Sequence, residues 1–324
     1  MRVTTSSIQA CENKLLPDGP KDKRPLPKNL PRPAMHIGFS GKTGSGKSNA
    51  LIRMLMEYQK KDAFQKIILI SPTASTDKKY DSLNLTEKHE KYTDTLLEQL
   101  VQTQKDDMEE HTEEAEKMEV YKRYMKRGGK TKWTHEELVL LTSLIDPMTG
   151  ELVKPEMTYE VMPWAALILD DLGGTATFRN GNTSLNSHVC KARHYNMSII
   201  CAVQHIYQIP RSMRQQLSNL IVFTNRDQKV MKEIAAECCS DLSPDEFLHL
   251  FEQATKDGGH DFLYCDFRKN EFRKNFNTRL HITNTSADEQ PQLISNRKDK
   301  CTSRTPSSTA PPKSAPPMPT PGCK

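Results

Sequence analysis

Short apolar runs alternate with stretches of helical periodicity through the middle of the chain, a pattern that predicts βα units and a mainly parallel sheet flanked by helices. The runs are 35–40, Ile67-Ile68-Leu69-Ile70, Ala165 to Leu169, Ser198 to Val203, and Asn219 to Phe223. A later pair, 262–267 and 279–282, is expected to extend or edge the sheet. Between Asn49 and Tyr58, the residues Leu51, Ile52, Met54, Leu55 and Met56 recur at helical spacing, so a helix follows the first run closely.

Two kinds of segment break the alternation. Residues 1–33 and 285–324 are rich in proline with lysine, serine or threonine, and are expected to be extended or disordered, leaving 34–284 as one α/β domain. From about 83 to 145 no strand pattern occurs, and a helical insertion is expected there. Its charge is segregated, with Asp106, Asp107, Glu109, Glu110, Glu113, Glu114, Glu116 and Glu119 followed by Lys122, Arg123, Lys126, Arg127, Lys130 and Lys132. A protruding arm with a basic end for DNA or a neighbouring subunit would carry this pattern, and so would a solvated helical pair with self-complementary charge.

Composition adds bounds rather than answers. At 324 residues the chain has room for one large domain with an insertion and tails, and its net charge of +5 permits a nucleic-acid partner without requiring one. No stretch reaches the ~20 apolar residues of a membrane span, and Met1 to Leu16 lacks a secretory core. The eight cysteines include no CxxC, and Cys238, Cys239, His249 and Cys265 match no zinc-ligand spacing, so reduced thiols in an intracellular protein are expected.

The chemistry enters at the end of the first run. Gly41-Lys42-Thr43-Gly44-Ser45-Gly46-Lys47-Ser48, followed by Asn49 at the start of the predicted helix, has the spacing of a phosphate-binding P-loop. Glycines let successive N–H groups turn toward a triphosphate, and the helix N-terminus faces the same charge. Lys47 is expected to neutralise β- and γ-phosphate oxygens, and Ser48 to hold Mg²⁺, which makes ATP and Mg²⁺ the expected cofactors. The run Trp164 to Leu169 ends in Asp170 and Asp171, and is expected beside the P-loop strand with its acids at the phosphates. Asp170 would bind Mg²⁺ and Asp171 would polarise the attacking water. Gln204, ending the 198–203 run, would face the γ-phosphate. Arg193 precedes that run, where a guanidinium suits γ-phosphate charge supplied from a neighbouring protomer. Arg214 is a second candidate for that role.

Together, the strand with GKTGSGKS, then ALILDD, then Arg193 eleven residues before Gln204, resemble the FtsK/HerA superfamily of ring-shaped DNA-translocating ATPases, nearest to packaging ATPases of large DNA viruses and Maverick/polinton-type elements. The resemblance spans roughly 33–283. It implies an additional-strand, RecA-like P-loop NTPase and a homo-oligomeric ring, hexameric or pentameric. That ring would hydrolyse ATP at its subunit interfaces, move double-stranded DNA into a preformed capsid, and work at a virus assembly site in an infected cell. Many relatives carry glutamate where this chain has Asp171. Sequence-independent contacts to DNA phosphates call for lysine and arginine clusters, here 122–132 and the repeated FRKNEFRKNF containing Arg268, Lys269, Arg273 and Lys274. A P-loop helicase, a nucleoside or nucleotide kinase, and an ATP-binding scaffold without turnover share the P-loop and remain open at this level.

Overall fold

The apolar runs do become strands, and all but the first feed two cores. In order, β1 (His36–Ser40), α1 (Lys47–Gln59), β2 (Lys66–Ile70), β3 (Glu87–His89), α2 (Asp94–Arg127), α3 (His135–Ser143), β4 (Ala165–Asp170), β5 (Met197–Val203) and β6 (Asn219–Phe223) form the α/β body. The helices Gln228–Cys238 and Pro244–Thr255 then lead into β7 (Phe262–Asp266), β8 (Glu271–Lys274) and β9 (Thr278–Leu280). This computed structural model describes residues 24–127, 132–175, 178, 183–224, 228–238 and 242–281. Segment 285–324, Lys130 and Cys239 lie outside the described residues.

Nine strands form one sheet in the order β3-β2-β4-β5-β1-β6-β7-β8-β9, parallel from β3 to β6 and antiparallel thereafter. Alternate residues point to opposite faces. Ile68, Ile70, Leu167 and Leu169 therefore pack in one core with Leu97, Leu100 and Val101 of α2, whereas Ile67, Leu69, Ala166 and Ile168 pack in the other with Leu51 and Leu55 of α1. Burial on both faces explains why the strands read as unbroken apolar runs.

Four expectations are corrected. The strand bearing Asp170 is not beside the P-loop strand, because β5 lies between them and pairs with both. The segment 83–145 is not all insertion, because its acidic block and the start of its basic one continue a single 34-residue helix, α2. Its first turns are core and only its later part carries the acidic and basic blocks, with α3 returning along it through a 2.6 Å pair between Arg123 and Glu137. A short parallel strand, β3, precedes it. Finally, the lead-in is packed from Arg24 onward: Arg24 stacks over Trp164 and donates to the Ala63 carbonyl and Gln65, and the Tyr58 hydroxyl donates to the Pro31 carbonyl.

Candidate functional site

At the C-terminal end of β1 the chain must turn sharply into α1, and the glycines make that turn possible. Gly44 and Gly46 adopt φ of 79° and 98°, in the left-handed region where a side chain is strained. At Gly46 space is also lacking, since a Cβ would stand 2.9 Å from the Cβ of His260. The first turn of α1 carries no acidic residue and Gly46 supplies no side-chain cap, so its N–H groups are left for an anion. The Ser45 hydroxyl is buried with no hydrogen-bond partner. The loop therefore fits a bound polyphosphate.

β4 and β5 end at the same level and bring three predicted residues to this loop. A cleft of about 400 Å³ is bounded by Lys42, Thr43, Gly44, Gly46, Lys47, Ser48 and Asn49 on the loop side and by Asp170, Asp171 and Gln204 opposite. Asp170 is buried at the end of β4. Asp171 is exposed with φ of 54°, a conformation uncommon outside glycine and asparagine that turns its carboxylate out of the strand line. Its Oδ1 accepts a 3.4 Å hydrogen bond from Gln204 Nε2. Gln208 supports the arrangement, its Oε1 accepting from the backbone N–H of Gln204 at 2.9 Å and of His205 at 3.1 Å.

Several residues of this cleft carry no motif. Lys79, in the turn after β2, places Nζ 3.0 Å from both Asp170 Oδ2 and Asp77 Oδ2. The Tyr80 hydroxyl donates to Asp170 Oδ2 at 2.8 Å, and burial pushes its pKa well up, so it stays a donor. Burial works against the Lys79 ammonium, but Asp170 and Asp77 hold its pKa above the ordinary lysine value. Lys47 is the reverse case: burial lowers its pKa, against the pull of Asp170 and Asp171. His260 and Thr73 complete the wall. Beyond Gly46 and His260 the cleft continues into a second one of about 470 Å³, bordered by Arg53, Asp261, Asn275, Phe276 and Asn277. Neither Lys79 nor His260 stands in a motif or at a spacing that points to this cleft.

Neither arginine reaches this cleft. Arg193 is exposed in the turn before β5, at the opposite end of the sheet, roughly 20 Å away by the rise of the seven-residue β5. Arg214 is held at home, with Nε 3.1 Å from both oxygens of Glu237 and its guanidinium over the Tyr207 ring.

No model of a known protein family matches the chain, and no curated protein matches it by sequence. Among solved structures, the genome packaging NTPase B204 from Sulfolobus turreted icosahedral virus 2, in complex with AMPPCP, is similar over 76% of this chain and 98% of that one, at 13% identity and a TM-score of 0.45. The cytoplasmic domain of the Type VII secretion ATPase EccC from Thermomonospora curvata is similar over 77% of this chain and 24% of that one, at 15% identity and a TM-score of 0.42. EssC (ATPases 2 and 3) from Geobacillus thermodenitrificans gives 74%, 39%, 13% and 0.42. With likeness this distant, the P-loop NTPase fold rests on the strand order and glycine loop of the chain itself.

Proposed function

We propose that the chain is an ATPase of the FtsK/HerA type, a homo-oligomeric translocase that drives double-stranded DNA into a preformed capsid during virus assembly. The observation that carries this reading is the convergence of Lys47, Ser48, Asp170, Asp171 and Gln204 on one cleft, with β5 inserted between the P-loop strand and the acid-bearing strand.

In this reading the N–H groups of 42–48 and the first turn of α1 receive the phosphates of ATP, and Lys47 neutralises the β- and γ-phosphate oxygens. Ser48 and Asp170 would hold Mg²⁺, which when bound offsets charge on those oxygens. Asp171 orients and polarises the attacking water, and Gln204, bonded to it, links that carboxylate to the terminal phosphate. The nucleoside would extend into the second cleft, toward Phe276 and Asn277. Arg193 would act on a second copy's nucleotide. The exposed Lys122, Lys126, Arg127 and Lys132 are suited to DNA phosphates. Arg273 and Lys274 are poorly suited, because Arg273 is buried against Glu271 and Lys274 is paired with Asp257 and Asp261.

The test is ATP turnover with long duplex DNA, single-stranded DNA or a nucleoside, with the oligomeric state followed by sedimentation. Stimulation by duplex DNA in an oligomer, abolished by Lys47→Ala, is the expected result. Turnover that responds to a nucleoside acceptor and ignores DNA would overturn it in favour of a kinase.

A further inference from the structure

The end of the sheet opposite the P-loop has a cleft of its own, about 240 Å³, where the segment before β5, the start of β1, the segment before β6 and the turn after β7 meet. Its polar lining consists of Arg193, Arg268, His36, Gln215, Gln216 and Ser218, and among the described residues no carboxylate borders it. His36 is 3% exposed. Its Nδ1 lies 3.1 Å from the Gln216 carbonyl, which can only accept, so Nδ1 carries the proton and Nε2 is the free position. Nε2 is buried and has no hydrogen-bond partner. Arg268 donates to the carbonyl of Ala34, a residue with φ of 57°, which fixes the guanidinium at the mouth.

We propose that this cleft is a phosphate-binding site in which Arg193 and Arg268 supply the charge and His36 Nε2 is the donor at its base. Two guanidiniums facing one another across a cleft without an acid repel, and a phosphate relieves that repulsion while accepting hydrogen bonds from both. Burial and then Arg193 lower the Arg268 pKa, and burial followed by the two guanidiniums lowers that of His36. The nearest acid acting on Arg268 is Asp266, which is buried and already receives the Tyr264 hydroxyl and the Lys269 backbone N–H and ammonium. An unpartnered imidazole nitrogen under two like charges is a poor arrangement for stability alone. With a bound anion the imidazole takes a proton, and Nε2 becomes a third donor.

Two sources share this chemistry: the terminal phosphate of a nucleotide held by a second copy, and the backbone of DNA. Only the nucleotide source rests on the ATP site proposed above. The first experiment removes that dependence by using full-length Lys47→Ala chain, whose P-loop is disabled, and titrating it with inorganic pyrophosphate by calorimetry while following the His36 imidazole by NMR. One pyrophosphate per chain is expected, with a shifted His36 resonance, a tenfold or greater loss of affinity in Arg193→Ala or Arg268→Ala, and no binding in the double variant. Both arginines are exposed, and Arg268→Lys, which keeps the charge, should retain part of the affinity. Absence of pyrophosphate binding, or binding that survives the double substitution, overturns the proposal, and it does so while ATP binding to the intact P-loop stands.

The source is then read in two further arms. If Arg193→Ala and Arg268→Ala chains lose ATP turnover and regain it when mixed with Lys47→Ala chains, the phosphate belongs to the neighbour's nucleotide. If duplex affinity falls and its salt dependence weakens by about one ion per arginine, the phosphate belongs to DNA. No change in either arm overturns a role for the cleft in the proposed activity.

Discussion

Lys79→Met separates what the nucleotide cleft contributes to stability from what it would contribute to binding. The wild-type ammonium sits 3.0 Å from an Asp170 carboxylate whose side chain is only 4% exposed. Removing one partner of a fully buried pair costs about 3–5 kcal/mol, because the other charge is left uncompensated. Two features reduce that figure here. Lys79 is itself 29% exposed, so solvent already screens part of the pair, and Asp170 keeps the Tyr80 hydroxyl at 2.8 Å. A loss of about 1–2 kcal/mol is expected, and the contact of the ammonium with the Tyr80 ring at 5.0 Å, worth about 0.5–1 kcal/mol, is contained within it. If Asp170 holds Mg²⁺, the metal and Lys79 compete for Oδ2. The variant should then recover its deficit in Mg²⁺ with a non-hydrolysable ATP analogue, since binding to the folded state alone adds stability. Urea unfolding with and without Mg²⁺-nucleotide measures both quantities. An equal deficit in the two conditions would refute the competition, and a deficit under ~0.5 kcal/mol would show that the pair is screened away.

Gly46→Ala combines a strained φ of 98° with a 2.9 Å clash against His260, so fluorescent-nucleotide affinity should fall at least tenfold, with a stability loss of about 1–2 kcal/mol. Arg214→Ala should cost about 2–3 kcal/mol in denaturant unfolding, because it strands Glu237, and leave nucleotide affinity within twofold. Burial holds His36, His111 and His188 below the ordinary histidine value, so the unfolded chain binds more protons once pH drops below about 6.5. Stability should therefore fall from pH 7.5 to 5.5, and the urea midpoint of His36→Gln should fall less over that range; a midpoint rising toward pH 5.5 contradicts the assignment.

The parts legible in the sequence were those encoded within a few consecutive residues. GKTGSGKS sets a turn, a helix start and a phosphate cradle in eight positions, and AALILD announces both a two-faced strand and its terminal acid. Strand order escaped because nothing local in β5 says that it inserts between β1 and β4; that follows from pairing across the sheet. β3 is three residues, Glu87 to His89, with no apolar pattern to detect. In α2 the buried positions Leu97, Leu100 and Val101 are diluted by a long charged continuation, which hid a core helix inside an apparent insertion. The Pro-rich lead-in was misjudged for a different reason. Composition measures how much apolar surface a segment can bury, and 24–33 is held by a few specific contacts, Arg24 on Trp164 and Tyr58 to the Pro31 carbonyl.

The charge inventory of the cleft bears on why a second copy would be needed at all. Lys47 and Lys79 are its two lysines near the acids, and they face Asp170 and Asp171. Lys79 is already committed to Asp170 and Asp77 at 3.0 Å, which leaves Lys47 and, with Lys42 on the loop beside it, the N-terminus of α1 to meet a triphosphate. These act at the loop side, where the β- and γ-oxygens would rest, whereas the far side of a terminal phosphate faces Asp171 and neutral Gln204. On the proposed reading negative charge would grow there as a phosphoryl group is transferred, and the Asp171 carboxylate would oppose it. The chain does own cations suited to that place, but at the other end of its own sheet: Arg193 and Arg268 border a cleft that no acid lines among the described residues. An excess of positive charge at one end and a deficit at the other are complementary between two copies stacked in the same sense. On the proposed reading such a head-to-tail contact would repeat from copy to copy, and it would end in a ring where the rotation closes.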